Sequence, residues 1–578
     1  MKSRTLGGVR GCVIAAAAGM AGLLQMGWMQ IEAAERTGGP SAGAQLDVTK
    51  PFSGTLKAGA SQRFSIEADA GAFVHGLVDT QIVQGLAGEI LDSDGKVLRR
   101  FAGGVVAFVA PKHDRYELQL TNAGSGAGAF QLSISILRPL DADVAPTGEL
   151  ISRKLQQQSS SLAAGTASSD DFWASVAANG TPLIENVDGE MLVTLLWRGN
   201  QHTRQVKVLW SLFHIAPVIE LRRLGRSDVW YRSFKFAPGT RFEYTVAENP
   251  PVVAGPPMVQ AMALMATAKA DPLHADSQGR NPAELFASRS RVELPPVLQD
   301  SQWTQARKDV KQGKTETFKL GERRISVYTP PGYSRQCGPY PLLLLLDGSA
   351  YQGLIPVPTI LENLIAARRI APTVAVFVDN ASVASRAADM YPNEAFTDLI
   401  ATELMKQVRA KYRVTRKPQH TVIGGFSLGG LAATNIAWRH PETFGAVLSQ
   451  SGAFWWSEDA IKAGRGEPIL TEGPLLDPRI ESFELVKRIA RAPKAPIRLH
   501  LSAGLYEGDL LTANRFLRDV LTAKGNEVEY HEFPGGHDGA FWRAAFADAY
   551  LSLAAAPPAS GSHTCYTESV STTTSSRP

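Results

Sequence analysis

The chain has 578 residues, which is too long for a single hydrophobic core and predicts about two to four domains. Hydrophobic residues make up 44% of the sequence and charged residues 20%, as in ordinary globular proteins. The formal net charge of +4 is small for this length, and no dense block of lysine and arginine occurs, so nothing favours nucleic acid as a partner.

The beginning of the chain has the pattern of an export signal. Basic residues within the first ten positions precede an almost uncharged stretch at 12–29, and Ala33 and Ala34 are small enough for cleavage. A retained anchor is the alternative, because the stretch is about long enough to span a bilayer. Its many alanines and glycines make it weakly hydrophobic. We therefore expect a signal peptide at 1–34, no membrane span after cleavage, and a periplasmic or secreted protein.

Two stretches with strand-like alternation follow. Residues 46–137 contain short alternating segments separated by Gly, Asp and Asn turns, which predicts a small β-sandwich accessory module. After a linker, residues 191–252 contain further apolar strand patterns, which predict a second sandwich within a domain at 170–290. Short helices are expected at 149–157 and 258–268.

From residue 323 the pattern changes to alternating strands and helices. Such alternation indicates a mostly parallel sheet covered by helices. The predicted fold class is α/β, with an α/β-hydrolase catalytic domain at 295–556 preceded by two all-β sandwich domains. The Ser/Thr-rich residues 557–578 are expected to form a disordered tail.

Cysteine and histidine usage gives no sign of a metal centre. After signal cleavage only Cys337 and Cys565 remain, which excludes a disulfide framework or a cysteine-based metal site. They are expected to be two separate thiols, although an oxidising compartment would allow them to pair. Histidines and cysteines do not cluster with ligand spacing along the sequence, so we expect no bound metal and no cofactor.

The pattern Gly425-x-Ser427-x-Gly429 ends an apolar run and precedes a helical pattern. Strand, tight turn and helix form the context of a nucleophile elbow, in which a strained serine holds its hydroxyl above the sheet. Glycines on either side avoid collisions with the neighbouring strand and helix. A glycine-rich turn without chemistry is the alternative reading.

A serine nucleophile needs a base, which in α/β-hydrolases follows the acid late in the chain. His537 lies in a glycine-rich loop between a strand and a helix, so its ring could reach Ser427 over the sheet edge. The alternative is a histidine that caps the next helix. His531, within a strand pattern, and His440, before a proline, are interpreted as structural.

The acid should follow the strand predicted at 497–502. Glu507 and Asp509 both lie in the next loop, and either carboxylate could accept the imidazole Nδ1 proton and fix the tautomer. Glu507 is preferred, and Asp509 could instead cap the helix that follows. A Ser-His dyad without an acid is the third possibility.

The tetrahedral intermediate of ester hydrolysis needs oxyanion donors. One predicted donor is the N–H of Leu428, directly after the nucleophile. The other is expected from Gly348 or Ser349, in the turn after the strand at 342–346, because Gly348 would let the backbone approach a substrate closely. The sequence does not decide between these two residues.

Several motifs together resemble the enterochelin (enterobactin) esterase family, a branch of the esterase D-like hydrolases. In the catalytic part they are Leu345-Leu346-Asp347-Gly348, Arg386-Ala387-Ala388-Asp389 with Asn393, Gly425 to Leu431, Pro441-Glu442-x-Phe444-Gly445, Leu448 to Gly452 with Phe454-Trp455-Trp456, and Gly535-Gly536-His537-Asp538 with Trp542-Arg543. In the middle part they are Phe172-Trp173, Gly180 to Glu185, Leu196 to Gly199, Asp228 to Ser233 and Asp271-Pro272-Leu273. These middle motifs are similar to the immunoglobulin-like N-terminal domain of the family.

The resemblance implies a serine esterase for the trilactone backbone of catecholate siderophores, with Ser427, His537 and Glu507 in the catalytic positions. It implies a small-molecule ester as partner, and any iron would arrive with that substrate. The chain departs from the family pattern in its export signal, its extra module at 46–137, and Asp389 and Met390 where Glu and Leu are usual.

The implied substrate suggests a binding surface. An iron-loaded tris-catecholate is anionic and flat-faced, so Arg386 could supply charge and Trp455, Trp456 and Trp542 could stack on its rings. Alternatively, the tryptophans complete the core and Arg386 pairs with Asp389.

The sequence therefore predicts an exported serine esterase that releases iron from catecholate siderophores. A first alternative is a feruloyl, acetyl or other carbohydrate-ester esterase, or an acyltransferase of the same superfamily. A second is a siderophore- or glycan-binding protein with an inactive hydrolase domain, which the intact serine, carboxylate and histidine pattern argues against.

Overall fold

The computed structural model describes residues 44–139, 151–164, 168–212, 218–255, 257–275, 277–278, 289–296, 302–381, 383–462 and 482–554, except positions 49, 81–85, 103 and 125. The predicted signal peptide at 1–34 and the predicted tail at 557–578 lie outside these residues. Within them, no helix is both long enough and apolar enough to cross a bilayer.

The first part of the structure, residues 44–137, consists of strands. They are β1 (Ala44–Gln45), β2 (Phe52–Leu56), β3 (Ser61–Ala68), β4 (Phe73–Thr80), β5 (Leu86–Leu91), β6 (Val97–Ala102), β7 (Val105–Val109), β8 (Asp114–Asn122) and β9 (Gly128–Leu137). One sheet has the order β1-β3-β8-β5-β6 and another has the order β2-β9-β4-β7. Both contribute to one core that includes Phe64, Tyr116 and Phe130, because alternate residues of each strand point inwards.

The middle part, residues 151–296, begins with two helices and continues mainly as strands. Its elements are α1 (Arg153–Ala163), α2 (Ser169–Asn179), β10 (Leu183–Val187), β11 (Glu190–Arg198), β12 (Val206–Trp210), β13 (Val218–Glu220), β14 (Arg222–Arg223), β15 (Val229–Phe236), β16 (Arg241–Glu248), α3 (Pro257–Thr267), β17 (Ser277–Gln278) and β18 (Arg289–Glu293). The sheet orders are β10-β11-β15-β14 and β13-β12-β16-β18-β17. Trp210, Trp230 and Phe242 fill the core that these sheets share.

Helix α3 joins the first two parts. One side of it places Ala263 and Ala266 against Phe73 and Ala107 of the first part. Its other side packs Leu264 and neighbouring residues onto the middle part. The helix is apolar on both sides because both sides are buried.

The third part, residues 302–554, is built on a long mixed sheet. Its strands are β19 (Lys314–Leu320), β20 (Arg323–Thr329), β21 (Leu342–Leu346), β22 (Val374–Val378), β23 (Thr421–Phe426), β24 (Ala446–Gln450), β25 (Arg498–Gly504) and β26 (Glu527–Phe533). The order is β19-β20-β22-β21-β23-β24-β25-β26, and the pairs from β22 to β26 are parallel. Strand β21 is a buried run of leucines, as expected where helices cover both faces of a parallel sheet.

Helices cover both faces of this sheet. They are α4 (Val357–Ala366), α5 (Val383–Met390), α6 (Glu394–Asp398), a π-helical stretch at Leu399–Leu404, α7 (Met405–Lys411), α8 (Leu428–Arg439), α9 (Glu458–Lys462), α10 (Glu484–Arg491), α11 (Asp509–Ala523) and α12 (Gly539–Leu553). Helix α8 packs into the core on one face, and α4 and α12 pack into the core on the other. The α/β-hydrolase layout predicted for the catalytic domain is thus present, with the carboxyl ends of the parallel strands along one edge.

Cys337 is disulfide-bonded, which overturns the expectation of two separate thiols. The other cysteines of the chain, Cys12 and Cys565, lie outside the described residues. The expectation rested on the placement of Cys565 in the predicted tail, whereas a disulfide requires only that two Cα atoms come within about 7 Å in space.

Candidate active site

Ser427 occupies a strained turn between β23 and α8. Its backbone angles are φ 53° and ψ −120°, a conformation that costs a non-glycine residue about 1–3 kcal/mol. A Cβ atom at Gly425 would lie 2.4 Å from the carbonyl carbon of Gly429, so no other residue fits there. A Cβ at Gly429 would lie 3.3 Å from Oδ2 of Asp347, which is also tight. The backbone therefore has the geometry that the Gly-x-Ser-x-Gly pattern predicts.

Backbone hydrogen bonds hold this turn against the next strand. The N–H of Ser427 donates to the carbonyl of Gln450 at 2.9 Å, and the N–H of Ala453 donates to the carbonyl of Ser427 at 2.9 Å. Leu428 is the first residue of α8, so its N–H has no carbonyl acceptor within the helix. This N–H adjoins the serine and remains the best candidate for an oxyanion donor.

The structure brings His537 to the same edge of the sheet as the elbow. The imidazole lies edge-on to the indole of Trp542, with ring centroids 4.9 Å apart. The same indole stacks on Phe426, the residue before Ser427, with ring centroids 4.5 Å apart and planes 6° apart. One buried tryptophan therefore contacts both the elbow and the histidine.

Glu507 faces this histidine from the loop after β25. Its Oε1 lies 3.5 Å from Nδ1 of His537, and both side chains are almost completely buried. Asp509 is instead the first residue of α11, where a carboxylate interacts favourably with the helix dipole. Of the two carboxylates left open by the sequence, Glu507 is the one paired with the imidazole.

Ser451 is part of the site and had no role in the sequence-based prediction. Its Oγ donates to Oε1 of Glu507 at 2.5 Å and accepts a hydrogen bond from Nε1 of Trp542 at 2.9 Å. These bonds fix the carboxylate against the indole. Its position directly after β24, the strand beside the nucleophile strand, was a usable signal, because sites of this fold class collect the residues that follow parallel strands.

The predicted second oxyanion donor is contradicted by the backbone of the 347–350 turn. The N–H of Gly348 donates to the carbonyl of Val378 at 3.0 Å, and the N–H of Ser349 donates to Oδ1 of Asp379 at 2.6 Å. A Cβ at Gly348 would lie 2.8 Å from the backbone of Phe377. Glycine is thus required there for close approach to strand β22, and neither N–H is directed to a substrate.

Arg386 forms a buried ion pair with Asp347. Its Nε and one terminal nitrogen donate to the two carboxylate oxygens at 2.8 and 2.7 Å. Asn380 donates to the same carboxylate at 2.8 Å. The pairing with Asp389 considered from the sequence does not occur, since Asp389 binds Arg323. The charge of Arg386 is therefore neutralised inside the protein beneath the elbow.

We expect Arg386→Gln to lower the free energy of unfolding by about 3–5 kcal/mol, because it leaves the Asp347 carboxylate buried without its cation. Urea denaturation of the purified variant measures this change. The matched control is Arg439→Gln, which removes the exposed pair with Glu394 and should cost about 0.2–1 kcal/mol. Equal losses in the two variants would contradict a structural role for the buried pair.

The three tryptophans suggested for substrate stacking have different environments. Trp542 is completely buried and contacts the rings of Phe426 and His537. Trp456 is 3% exposed and belongs to the core. These two predictions are therefore wrong, because both rings complete the interior. Trp455 is half-buried and remains a candidate for ligand contact.

Among the described residues, the nearest approach to a metal-ligand set is His500, Glu529 and His531, whose ligand atoms lie within 4.8 Å of one another. The cluster was not expected, since β25 supplies one member and β26 the other two. The two imidazoles are stacked with planes 22° apart. His531 already bonds Glu529 at 2.8 Å.

His440, which the sequence also suggested to be structural, contacts the acidic surface side chains of Asp398 and Glu442.

The chain was compared with known families and proteins. Residues 319–553 match the family described as "Putative esterase", and residues 192–303 match the family described as "Enterochelin esterase, N-terminal". The first range contains the elbow, Glu507 and His537. The second range covers most of the middle part, and both ranges lie beyond the first part.

Several of the similar proteins are named as esterases. The chain is 28% identical over 428 residues to the iron(III) enterobactin esterase of Dickeya dadantii, covering 68% of this chain and 94% of that protein. It is 27% identical over 408 residues to the iron(III) salmochelin esterase of Escherichia coli O6:H1, covering 67% and 94%. A crystal structure of ferric enterobactin esterase from Salmonella typhimurium matches with a TM-score of 0.52 at 24% identity, over 66% of this chain and 98% of that one.

Proposed function

We propose that this chain, which belongs to the enterochelin esterase family, is a serine esterase. Its proposed reaction is the hydrolysis of ester bonds in catecholate siderophores. The observation that carries the proposal is the 3.5 Å contact between Glu507 and His537, beside a tryptophan that also packs on the elbow of Ser427. Hydrolytic machinery and both family domains occur in the same chain.

In the proposed reaction, Oγ of Ser427 attacks the ester carbonyl while Nε2 of His537 accepts the hydroxyl proton. Glu507 holds the Nδ1–H tautomer and stabilises the imidazolium that forms. The N–H of Leu428 donates to the oxyanion, a contribution of about 3 kcal/mol to the barrier. The tetrahedral intermediate collapses, His537 protonates the leaving alkoxide, and an acyl-enzyme remains. Water activated by His537 then releases the acid and restores the serine.

The proposed substrate class rests on the relatives. The relatives that match 68% and 67% of this chain are named for enterobactin and salmochelin, and the middle part matches the N-terminal domain of the enterochelin esterases. We propose that hydrolysis of the siderophore backbone releases iron, which arrives with the substrate. Trp455 is the partly exposed aromatic residue that could contact a catecholate ring.

We also propose that the protein acts in the periplasm or outside the cell. The signal-like residues 1–34 support export, and the disulfide of Cys337 fits an oxidising compartment. The paired sheets of the first and middle parts are proposed to be two β-sandwich domains, the second of them immunoglobulin-like.

Chromatography of products from iron-free and ferric enterobactin tests the substrate. We expect linear trimer, dimer or monomer to appear with the parent enzyme, because each ester cleavage opens or shortens the trilactone. A feruloylated sugar and an acetylated sugar serve as competing substrates. Cleavage of a sugar ester with no attack on enterobactin would replace the siderophore assignment by the carbohydrate-ester alternative. Absence of any ester cleavage would favour a binding protein.

A further inference from the structure

The middle part contacts the loop that carries His537, residues 534–538, here called the histidine loop. The carbonyl of Ser211, which follows β12, accepts the N–H of His537 at 2.9 Å. The Oγ of Ser211 donates to Oδ2 of Asp538 at 2.7 Å. Oδ1 of Asp538 in turn accepts the N–H of Phe541 at 3.2 Å and so caps helix α12. One serine of the middle part thus holds the histidine backbone and the residue after it.

The residues of the histidine loop that precede His537 also pack closely against the middle part. A Cβ atom at Gly536 would lie 2.2 Å from the carbonyl oxygen of Ser211, so only glycine allows this approach. The N–H of Arg241, the first residue of β16, donates to the carbonyl of Pro534 at 3.0 Å. The histidine loop is therefore bonded to the middle part both before and after the imidazole.

The loop that carries Glu507, residues 505–508, is fixed to the same surface. The N–H of Tyr506 donates to the carbonyl of Gly535 in the histidine loop at 3.1 Å. Its Oη accepts the N–H of Ala237 at 2.9 Å, and its ring packs edge-on against Phe236 with centroids 5.5 Å apart. The residue beside the carboxylate is thus anchored in the core of the middle part.

Buried charges lie behind Ser211. The Ser211 N–H donates to the carbonyl of Glu243 at 3.3 Å, and the Glu243 carboxylate pairs with Arg289 and Arg291 at 3.1 and 3.3 Å. Burial, followed by the nearby charge of Glu243, raises the pKa of Asp538 to about 7. Such a network is costly to disturb because each member is shielded from water.

We propose that Ser211 is a positioning residue for catalysis: by holding His537 and Asp538, it lets the middle part set the imidazole between Ser427 and Glu507. The inference rests on the proposed function, since it assigns a task to the same site. The middle part is then a component of the esterase site in addition to any role in binding. A displacement of about 1 Å at such a group lowers turnover by about 100-fold.

Ser211→Ala tests the proposal, because it removes the hydroxyl and keeps the carbonyl. The matched control is Ser233→Ala, which removes a serine hydrogen bond to Thr194 at 2.8 Å within the middle part, away from the histidine loop. Both variants are assayed for kcat and KM with p-nitrophenyl acetate, for the rate of inactivation by a fluorophosphonate, and for thermal unfolding. For Ser211→Ala we expect kcat and the inactivation rate to fall about 10–100-fold with KM nearly unchanged. Ser233→Ala should keep the parent kcat.

A second pair of variants guards against misfolding and separates positioning from stability. Asp538→Asn can keep its oxygen on the N–H of Phe541 while its amide NH2 donates to Oγ of Ser211, so the link to Ser211 survives and the variant should retain most of the parent kcat. Asp538→Ala should lose about as much as Ser211→Ala, and the double variant should lose little more, because both changes remove the same link. Parent-like kcat in Ser211→Ala would overturn the proposal. So would equal losses of kcat and melting temperature in Ser211→Ala and Ser233→Ala, or strictly multiplicative losses in the double variant.

These outcomes differ from a failure of the proposed function. If the parent cleaves p-nitrophenyl acetate but not enterobactin, the siderophore assignment fails and the positioning of His537 is still measured. If the parent neither cleaves the activated ester nor reacts with the fluorophosphonate, the esterase proposal and the positioning role fail together.

Discussion

Ser427→Ala should lower kcat for ester hydrolysis by about 10⁶-fold, because it removes the atom that forms the acyl-enzyme. Residual turnover would come only from the oxyanion donor and substrate binding. The melting temperature should not fall, because alanine has no greater difficulty than serine in this turn. Steady-state kinetics on p-nitrophenyl acetate and on enterobactin, together with loss of fluorophosphonate labelling, measure the effect.

The matched control for this variant is Ser449→Ala. Ser449 is a buried serine of β24, the strand beside the elbow, and is not part of the Glu507 and His537 contacts. Its replacement should leave kcat within about twofold of the parent value. Unchanged turnover of purified Ser427→Ala would show that another residue is the nucleophile.

Glu507→Gln should lower kcat by about 10³- to 10⁴-fold with little change in KM. Oε1 of Glu507 accepts a hydrogen bond from the Ser451 hydroxyl and also faces Nδ1 of His537. The NH2 group of a glutamine would add a further donor to this buried cluster, in which two donors already face the carboxylate. A glutamine also cannot stabilise the imidazolium charge. Steady-state kinetics on an activated ester measure the loss.

Asp509→Asn is the decisive comparison for the identity of the acid. Asp509 begins α11, so its replacement should cost about 0.3–1 kcal/mol of stability through the helix dipole. It should leave kcat within about twofold of the parent. A large loss of kcat in Asp509→Asn with near-parent kcat in Glu507→Gln would reverse the assignment. Small losses in both variants would support a Ser-His dyad.

The site depends on residues from distant parts of the chain. The sheet supplies Ser427 at the end of β23 and Ser451 at the end of β24. Trp542 of α12 contacts both Phe426 of the elbow and the imidazole. If the positioning role of Ser211 holds, deletion of the middle part would impair the chemistry as well as the fold, whereas a domain that only binds substrate would leave hydrolysis of small esters intact.

Local sequence patterns were sufficient for the elbow and for much of the catalytic sheet. The strand predicted at 342–346 coincides with β21, and the elbow lies where the Gly-x-Ser-x-Gly pattern places it. The strand could be predicted because a strand covered on both faces is a continuous apolar run. The elbow could be predicted because the close approach of neighbouring backbone requires glycines beside Ser427. Strand β19 was missed, since its side chains are mostly exposed and lack an apolar pattern.

The sequence was less informative about which groups touch. It preferred Glu507 but left Asp509 open as the acid, assigned Gly348 or Ser349 to the oxyanion, and gave no role to Ser451 or Ser211. Each of these questions concerns a partner far along the chain. Gly348 illustrates the difference, because the need for glycine was visible while the neighbour that imposes it, strand β22, was not.

The amino-acid order alone was enough to predict the fold class and the family resemblance, and to propose a serine, a histidine and a carboxylate as the reactive set. Only the tertiary structure decided that Glu507 rather than Asp509 faces the imidazole, that Arg386 is neutralised by Asp347, and that Trp542 is interior. The physical reason is that local patterns report the backbone conformation and burial of each segment. Hydrogen bonds and ion pairs depend on which segments the fold brings within about 3 Å of each other.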